Sequence, residues 1–441
     1  MRSLIKEAVR KFRDSSKDSR IKIVSHFDTD GITSAALMCK ALNRAGIKFS
    51  LEVVKDLSEA FVKGLPKDSV VVFLDLGGGS LGLFEHLKEV FVIDHHQVKT
   101  NNLGNTFLIN PHLVGDREEL CSAGVSYLFA KELLGVGNCE DLADLAVIGT
   151  VGDLVVQRGK LNIEIQKDAG VSPKKGLLLY PATRPLDKAL EYSSSLFIPG
   201  VTGNLKGVRD LLAEARIDKE GNQFKSLVEL SEDEVSRLTT AIIIRRKDYD
   251  NSEIIGDIYL VKFSGSLEDA RELSARINSC SRAGFSHIAL GFCLNNRHFR
   301  KESEKIHAKY KQEIINALNY INSSEANKLE GSKYVIFNAK DKVKDTMIGT
   351  VSSMMAFSKN YENGTFIIGM GYSKDKVKVS MRIVGGAKSR KANDLLGSVM
   401  DSLEGEWGGH ASSAGCTISK DDEDKFVDLM KKKLEVEVVH M

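Results

Sequence analysis

The sequence predicts an α/β fold in three parts: a doubly wound parallel-sheet domain, a helical connector, and a second, smaller α/β domain. Three observations lead there. From residue 21 to about 150, short apolar runs alternate with amphipathic stretches of helical spacing. Several of those runs stop abruptly at acids or imidazoles, as strands of an open parallel sheet do where they present ligands at their carboxyl ends. Between 155 and 250 the alternation weakens and four of the six prolines gather (Pro173, Pro181, Pro185 and Pro199), before a second α/β pattern begins near Ile254. The expected domains are 1–190, a helical connector at 191–250, and 251–441.

In order along the chain, Leu4, Ile5, Ala8, Val9 and Phe12 form one apolar stripe on a leading helix. Strands are expected near 21–25, 48–54, 69–74, 89–93 and 106–109, with helices near 32–45, 57–64, 81–88, 122–134 and 139–150. Gly31 frees the backbone for a strand-to-helix turn, so the next helix aims its N-terminal dipole at the preceding acids. In the connector, Leu205–Ala215 reads as a helix and Asp218-Lys219-Glu220-Gly221-Asn222 as an exposed turn. The last part reads as strands at 254–263, 286–294, 333–338, 365–370 and 376–384, with helices at 267–281, 302–322, 391–403 and 422–435. No solenoid repeat and no low-complexity tract is visible.

Composition narrows the classes. Among 441 residues, 62 Lys and Arg nearly balance 60 acids, so the formal charge of +2 argues against a polybasic coat and leaves room for a local basic groove. Two runs are basic: Arg297–Lys311, with six cations against two Glu, and Lys374–Lys391, with seven against one Asp. The first suits a solvated helix face, the second phosphate contact. The six cysteines (Cys39, Cys121, Cys139, Cys280, Cys293, Cys416) show no metal-like spacing and read as reduced core thiols. No apolar run approaches the roughly 20 residues of a membrane span, and the N-terminus has no signal-peptide core. A cytoplasmic protein with no membrane partner is the expectation.

The chemistry concentrates at four run ends. Phe91-Val92-Ile93 leads into Asp94, His95 and His96; Ile21–Ser25 delivers His26, Asp28 and Asp30; Val70–Leu74 delivers Asp75. The strand-like apolar stretch Leu145–Gly152, which overlaps the helix expected at 139–150, ends at Asp153. Carboxylates and imidazoles suit Mn²⁺, Mg²⁺, Zn²⁺ or Fe, and apolar walls would not retain so many acids without a cation.

Ser25-His26-Phe27-Asp28-Thr29-Asp30-Gly31, Asp75, Asp94-His95-His96 and Asp153 resemble motifs one to four of the DHH phosphoesterase superfamily. Gly408-Gly409-His410-Ala411-Ser412-Ser413-Ala414-Gly415 resembles the glycine-rich signature of the DHH-associated C-terminal domain. Tyr192-Ser193…Phe197-Ile198-Pro199-Gly200 and Ala270-Arg271-Glu272…Asn278-Ser279-Cys280-Ser281-Arg282 look like the archaeal RecJ-like single-strand exonucleases, which include the nucleases associated with the GINS replication complex. The resemblance runs over nearly the whole chain.

It implies two divalent cations, Mn²⁺ first and Mg²⁺ second, about 3.5–4 Å apart. Asp75 would bridge them, Asp28 would bind one, and Asp30, His95 and Asp153 the other. His26 would complete the first shell, although phosphatase-like relatives place this His four residues before the first Asp and bacterial RecJ has Asp here. Asp94 would hold His95 in the tautomer a metal needs. His96 would face the scissile phosphate as a donor, and His112 would contact that phosphate. In the last domain Gly408 and Gly409, with Gly415, would bring backbone close to a nucleotide, with His410, Arg382 and Arg282 on phosphate and Trp407 able to stack on a base. The expected function is a metal-dependent exonuclease of single-stranded DNA or RNA in replication or repair, with GINS and replisome proteins as partners. The rivals are a nanoRNase or cyclic-dinucleotide phosphodiesterase, and a replisome scaffold without catalysis.

Overall fold

A computed structural model describes the chain apart from residues 18, 99–102, 115–118, 156–158, 180, 194–195, 197, 247–253, 324–326, 358–360, 387–389 and 440–441. The domain boundary expected at 250/251, parts of the basic run Lys374–Lys391 and parts of the Tyr192–Gly200 motif lie outside the described residues. The chain divides into two compact units, one of Met1–Ser193 with Ile198–His307 and one built on Ala308–Met441.

In the first unit, β1 (Ile21–His26), β2 (Phe49–Val54), β3 (Val70–Leu74), β4 (Glu89–Ile93) and β5 (Thr106–Ile109) form one all-parallel sheet in the order β2-β1-β3-β4-β5. The order reverses between β1 and β3, and ligands bind at such a switch point in open α/β sheets. Period-two alternation explains why β3 reads as pure Val-Val-Val-Phe-Leu. Val70, Val72 and Leu74 enter the larger core, while Val71 and Phe73 enter a second core with Val62, Phe84 and Leu108. Helices α1 (Arg2–Ser15), α2 (Thr29–Arg44), α3 (Glu59–Lys63), α4 (Ser122–Leu134), α5 (Ala143–Gly152) and α6 (Lys160–Asp168) surround the sheet. The predicted stripe of α1 is buried at Ile5, Ala8, Val9 and Phe12, with Phe12 edge-on to Phe91 at 5.4 Å and to Phe129 at 5.5 Å.

Two expected strands are helices. The stretch Leu145–Gly152 is the body of α5, apolar on every side because α2 and α4 enclose it. Gly149 allows that approach: a Cβ there would lie 2.5 Å from Ala123 Cβ and from Thr33 Oγ1. The segment expected as a strand at 286–294 is α11 (Ser286–Cys293), which buries Ile288 with Phe292 and Ala289 with Cys293, each pair one helical turn apart. Short apolar runs do not distinguish a buried strand from a buried helix, and tertiary enclosure decides. The helix expected at 81–88 is only a 3₁₀ turn, Leu81–Phe84.

Beyond the sheet come β6 (Lys174–Leu177), α7 (Leu186–Glu191), α8 (Leu205–Glu214), the hairpin β7 (Lys219–Glu220) and β8 (Gln223–Phe224), and α9 (Glu232–Arg246). The expected strand 254–263 divides into β9 (Ile255–Ile258), paired with β6, and β10 (Leu260–Phe263), paired with β11 (Ser266–Asp269). Helix α10 (Ala270–Arg282) follows. Residues 254–307 were expected with the last domain, yet Val261, Phe263, Leu273, Ile277 and Phe292 enter the core around α2, so this segment completes the first unit.

Helix α12 (Arg297–Ile321) leads to β12 (Asn327–Gly331), β13 (Tyr334–Asn338), α13 (Asp345–Phe357), β14 (Phe366–Ser373), β15 (Lys376–Ile383), α14 (Ala392–Met400), β16 (Gly405–Gly409), β17 (Ser413–Ser419) and α15 (Glu423–Val439). The second unit's mixed sheet runs β12-β13-β14-β15-β17-β16, parallel only between β13 and β14. One face packs on α13 and the end of α12 through Val335, Phe337, Ile348 and Ile314, the other on α14 and α15 through Ile336, Ile368, Leu396 and Phe426. All six cysteines are free and buried, and no helix among the described residues is long and apolar enough to cross a membrane.

Candidate metal centre

The acids and histidines meet at the carboxyl ends of β1, β3 and β4, beside the switch point. Strand β1 ends at His26 and turns at once into α2, whose N-cap is Asp28: its Oδ1 accepts from Gly31 N at 3.0 Å. Only glycine fits the turn, since a Cβ on Gly31 would lie 2.3 Å from His26 O. Asp75 follows β3 in the left-handed region at φ 61, where Asp is among the few tolerated side chains, and its N–H donates to Ile93 O at 2.9 Å. Asp153 arrives from a helix end, capping α5 through its N–H to Gly149 O at 3.0 Å.

Two groups result, and Asp75 faces both. Its Oδ2 lies 3.1 Å from His26 Nδ1, which is itself 3.2 Å from Asp28 Oδ2. Its Oδ1 lies 3.5 Å from His95 Nε2, which is 3.8 Å from Asp30 Oδ2 and 3.4 Å from Asp153 Oδ2. The donor atoms of His26, Asp28 and Asp75 fall within 4.8 Å of one another, as do those of Asp30, His95 and Asp153, and those of Asp75, His95 and His96.

The electrostatics fit a cation. Among the described residues no Lys or Arg pairs with Asp28, Asp30, Asp75 or Asp153; their ion-pair partners are histidines. Burial, then the charges of Asp30 and Asp28, push Asp75 well above the ordinary carboxyl range. Burial and Asp30 raise Asp153 to about 6. Asp28 moves the other way: burial opposes its charge, but the His26 ring and the Gly31 N–H outweigh it. His26 is raised, because Asp28 overcomes the burial that disfavours imidazolium. Oxygen and imidazole donors without thiolate suit hard or borderline divalent ions.

Asp94 differs from expectation in its partner. Its Oδ1 takes His96 Nδ1 at 2.7 Å, and the His95 ring is left to the carboxylate cluster. From His95, Asp94 receives the backbone N–H alone, at 2.8 Å. Burial disfavours its anion, but His96 and the Gly78 N–H, at 2.8 Å, hold it down to about 2. In return Asp94 lifts His96 to about 8. A Cβ on Gly78 would sit 2.7 Å from Asp94 Oδ2. Gly78→Ala is therefore expected to displace this carboxylate and cost about 1–3 kcal/mol, read as a lower denaturant midpoint of the metal-free chain.

His112 is exposed after β5, its N–H on Asn110 Oδ1, and Arg282 is half-buried at the end of α10. Arg382, Gly408, Gly409 and His410 belong to the second unit. There the expected glycine loop is the exposed edge strand β16, and Gly409 pairs with Ala414 at a φ of 149. Arg382 is half-buried and donates to Ser353 Oγ, Ser380 Oγ and Met381 O.

Sequence reasoning missed the groups that hold the clustered acids and histidines in place. Ser122 Oγ donates to Asp75 Oδ1 at 3.0 Å, and the N–H groups of Ser122 and Ala123, at the start of α4, hold both oxygens of Asp30 at 2.7 and 2.8 Å. Asn110 Nδ2 donates to His96 O. From α10, Asn278 Oδ1 accepts from Thr29 N at 3.1 Å and Ser274 O accepts from Thr29 Oγ1 at 3.0 Å. The only sequence signal for these was position: Ser122 opens an expected helix, and Asn278 lies in a quoted motif.

A parallel sheet ending in Asp-His-His, followed by a smaller mixed-sheet unit, matches three family models: the DHH family N-terminal domain over residues 20–150, the DHH-CID domain over 179–253 and the DHHA1 domain over 331–436. The chain belongs to the DHH superfamily and is RecJ-like in its domains. An uncharacterised protein of Methanocaldococcus jannaschii is 26% identical over 92% of this chain and 91% of its own length. The single-stranded-DNA-specific exonuclease RecJ of Bacillus subtilis is 28% identical over 34% of this chain, a match spanning only 21% of that protein. Among solved structures, RecJ of Thermus thermophilus in complex with Mn²⁺ covers 98% of this chain and 55% of its own at TM-score 0.63 and 18% identity. CDC45 of Entamoeba histolytica covers 98% and 99% at TM-score 0.67 and 14% identity. These two likenesses concern the fold.

Proposed function

We propose that the chain is a metal-dependent phosphodiesterase acting as an exonuclease on single-stranded DNA or RNA, in replication or repair. The observation that carries this reading is Asp75, whose two oxygens face separate triads of donors. His26, Asp28 and Asp75 would hold one divalent ion, and Asp75, Asp30, His95 and Asp153 a second, with Mn²⁺ first in preference and Mg²⁺ next. Two such ions supply activated water and charge stabilisation on a phosphodiester. His96 does the proton work: Asp94 occupies its Nδ1, and its half-exposed ring leaves Nε2 free to donate to the phosphate or its leaving oxygen. His112 and Arg282 in the first unit, and Arg382, Gly408, Gly409 and His410 in the second, would bind the strand through phosphate and backbone contacts that tolerate any sequence. GINS and replisome proteins are the proposed partners.

The test digests end-labelled DNA and RNA single strands, alone and annealed to their complements, with Mn²⁺ or Mg²⁺. Stepwise shortening of the free strands, with blunt duplexes resistant, is the expected result. Hydrolysis confined to di- to tetranucleotides would replace the reading by a small-substrate phosphodiesterase. Metal uptake without any hydrolysis would replace it by a binding scaffold.

A further inference from the structure

Thr29 lies between Asp28 and Asp30, the acids assigned to different ions, and helix α10 grips it from far along the chain. Thr29 is the first residue of α2, so its N–H has no partner inside the helix. The N-cap carboxylate of Asp28 is spent on Gly31 N. Asn278 Oδ1 takes the Thr29 N–H at 3.1 Å, and one helical turn earlier Ser274 O takes the Thr29 hydroxyl at 3.0 Å, with Ser274 Oγ 3.3 Å from it. The same threonine packs on Gly152, next to Asp153: a Cβ there would meet Thr29 Cγ2 at 2.7 Å and Ser274 Oγ at 2.8 Å. One residue pair on α10 thus touches the hub from which Asp28, Asp30 and Asp153 all fan out.

Thr29 is only 2% exposed, so its first-turn N–H must find a protein acceptor in place of water, and Asn278 supplies it. The position of the contact is what matters. Rotating the Thr29 peptide would swing Asp28 and Asp30 relative to each other, and metal sites tolerate only small errors of that kind.

We propose that Asn278 and Ser274 are positioning residues that set the spacing between the two metal subsites by fixing the Asp28-Thr29-Asp30 turn. The inference rests on the reading of this cluster as a metal centre. Its ligand class is a pair of divalent cations, and neither residue touches them.

The experiment measures Mn²⁺ binding to the full chain by calorimetry, with electron paramagnetic resonance reporting coupling between paired ions. Asn278→Ala and Thr29→Val are expected to weaken Mn²⁺ binding about 10- to 100-fold, the usual loss when a ligand's supporting partner is removed, and to diminish the coupled-pair signal. The metal-free variants should remain folded, with an unfolding midpoint lowered only by the loss of one buried hydrogen bond. Asn278→Asp, which keeps an acceptor facing Thr29 N, should restore binding. Wild-type Mn²⁺ affinity and coupling in Asn278→Ala would overturn the inference, as would a collapsed metal-free midpoint, which would assign the contact to folding alone. Failure of the wild-type chain to bind Mn²⁺ would instead remove the metal reading beneath it.

Discussion

Asp75→Asn is expected to abolish paired metal binding and to lower phosphodiester hydrolysis by about 10³-fold or more, a loss of roughly 4 kcal/mol of transition-state stabilisation. The amide keeps the size of the side chain, tolerates the φ of 61, and still has an oxygen for Ser122 Oγ. It has no charge to share between two cations. The fold should survive, and the sign of the pH effect follows from the acid's environment. A carboxyl pushed up by burial and by Asp30 and Asp28 makes the metal-free chain less stable as pH rises above the ordinary carboxyl value of 3.8 toward the raised one. Asp75→Asn removes that penalty, so at pH 7 the metal-free variant should unfold at or above the wild-type midpoint. Near-wild-type turnover in Mn²⁺ would sink the bridging assignment.

Asp94→Asn is expected to lower turnover by about 10²- to 10⁴-fold while leaving metal content unchanged. The amide oxygen would keep the Gly78 N–H, turning the amide nitrogen toward His96 Nδ1 and favouring the wrong tautomer. In the metal-free wild type His96 should titrate at about 8 by nuclear magnetic resonance, and in the variant nearer its ordinary 6.5. The pair's contribution to stability has the matching signs. His96 is raised, so its share is fully present below 6.5 and is lost as pH rises through about 8. Asp94 is lowered, so its share is present above 3.8 and is lost as pH falls through about 2. An unchanged His96 titration in the variant would show that Asp94 does not govern this imidazole.

The strand ends that carry the acid and histidine cluster were legible because a buried parallel strand writes an unbroken apolar run, and the first charged residue after it marks the sheet's edge. That logic located His26, Asp28, Asp75 and Asp94-His95-His96 together. It misread Leu145–Gly152, since an enclosed helix is apolar all round and loses the periodicity that would separate it from a strand. Asp153 still reached the cluster, because the end of either element can deliver a carboxylate. The pairing of Asp94 with His96 instead of His95 was not legible: adjacent imidazoles differ only in where the turn points them. Ser122 and Asn278 were missed because a polar residue that satisfies a distant ligand has no local pattern of its own. In the second unit the glycines at 408 and 409 suggested a loop, yet both lie in an exposed edge strand: a Cβ on Gly408 would meet nothing within 4 Å, whereas Gly409, at a φ of 149, has no room for one, since it would lie 2.4 Å from Ser413 O.

The clasp between Thr29 and α10 closes a loop of 249 residues, which bears on the order in which the protein matures. A chain emerging from the ribosome at roughly 5–20 residues per second exposes the whole parallel sheet, with His26, Asp75 and His95, well before Asn278 appears. For roughly 8–34 s at that rate the carboxylates are present without the element proposed to fix their spacing. On the proposed reading, a centre completed only by a late segment would stay quiescent on the translating ribosome, where single-stranded messenger is the nearest nucleic acid. Long-range contacts slow folding, and here that delay would separate synthesis from the proposed activity.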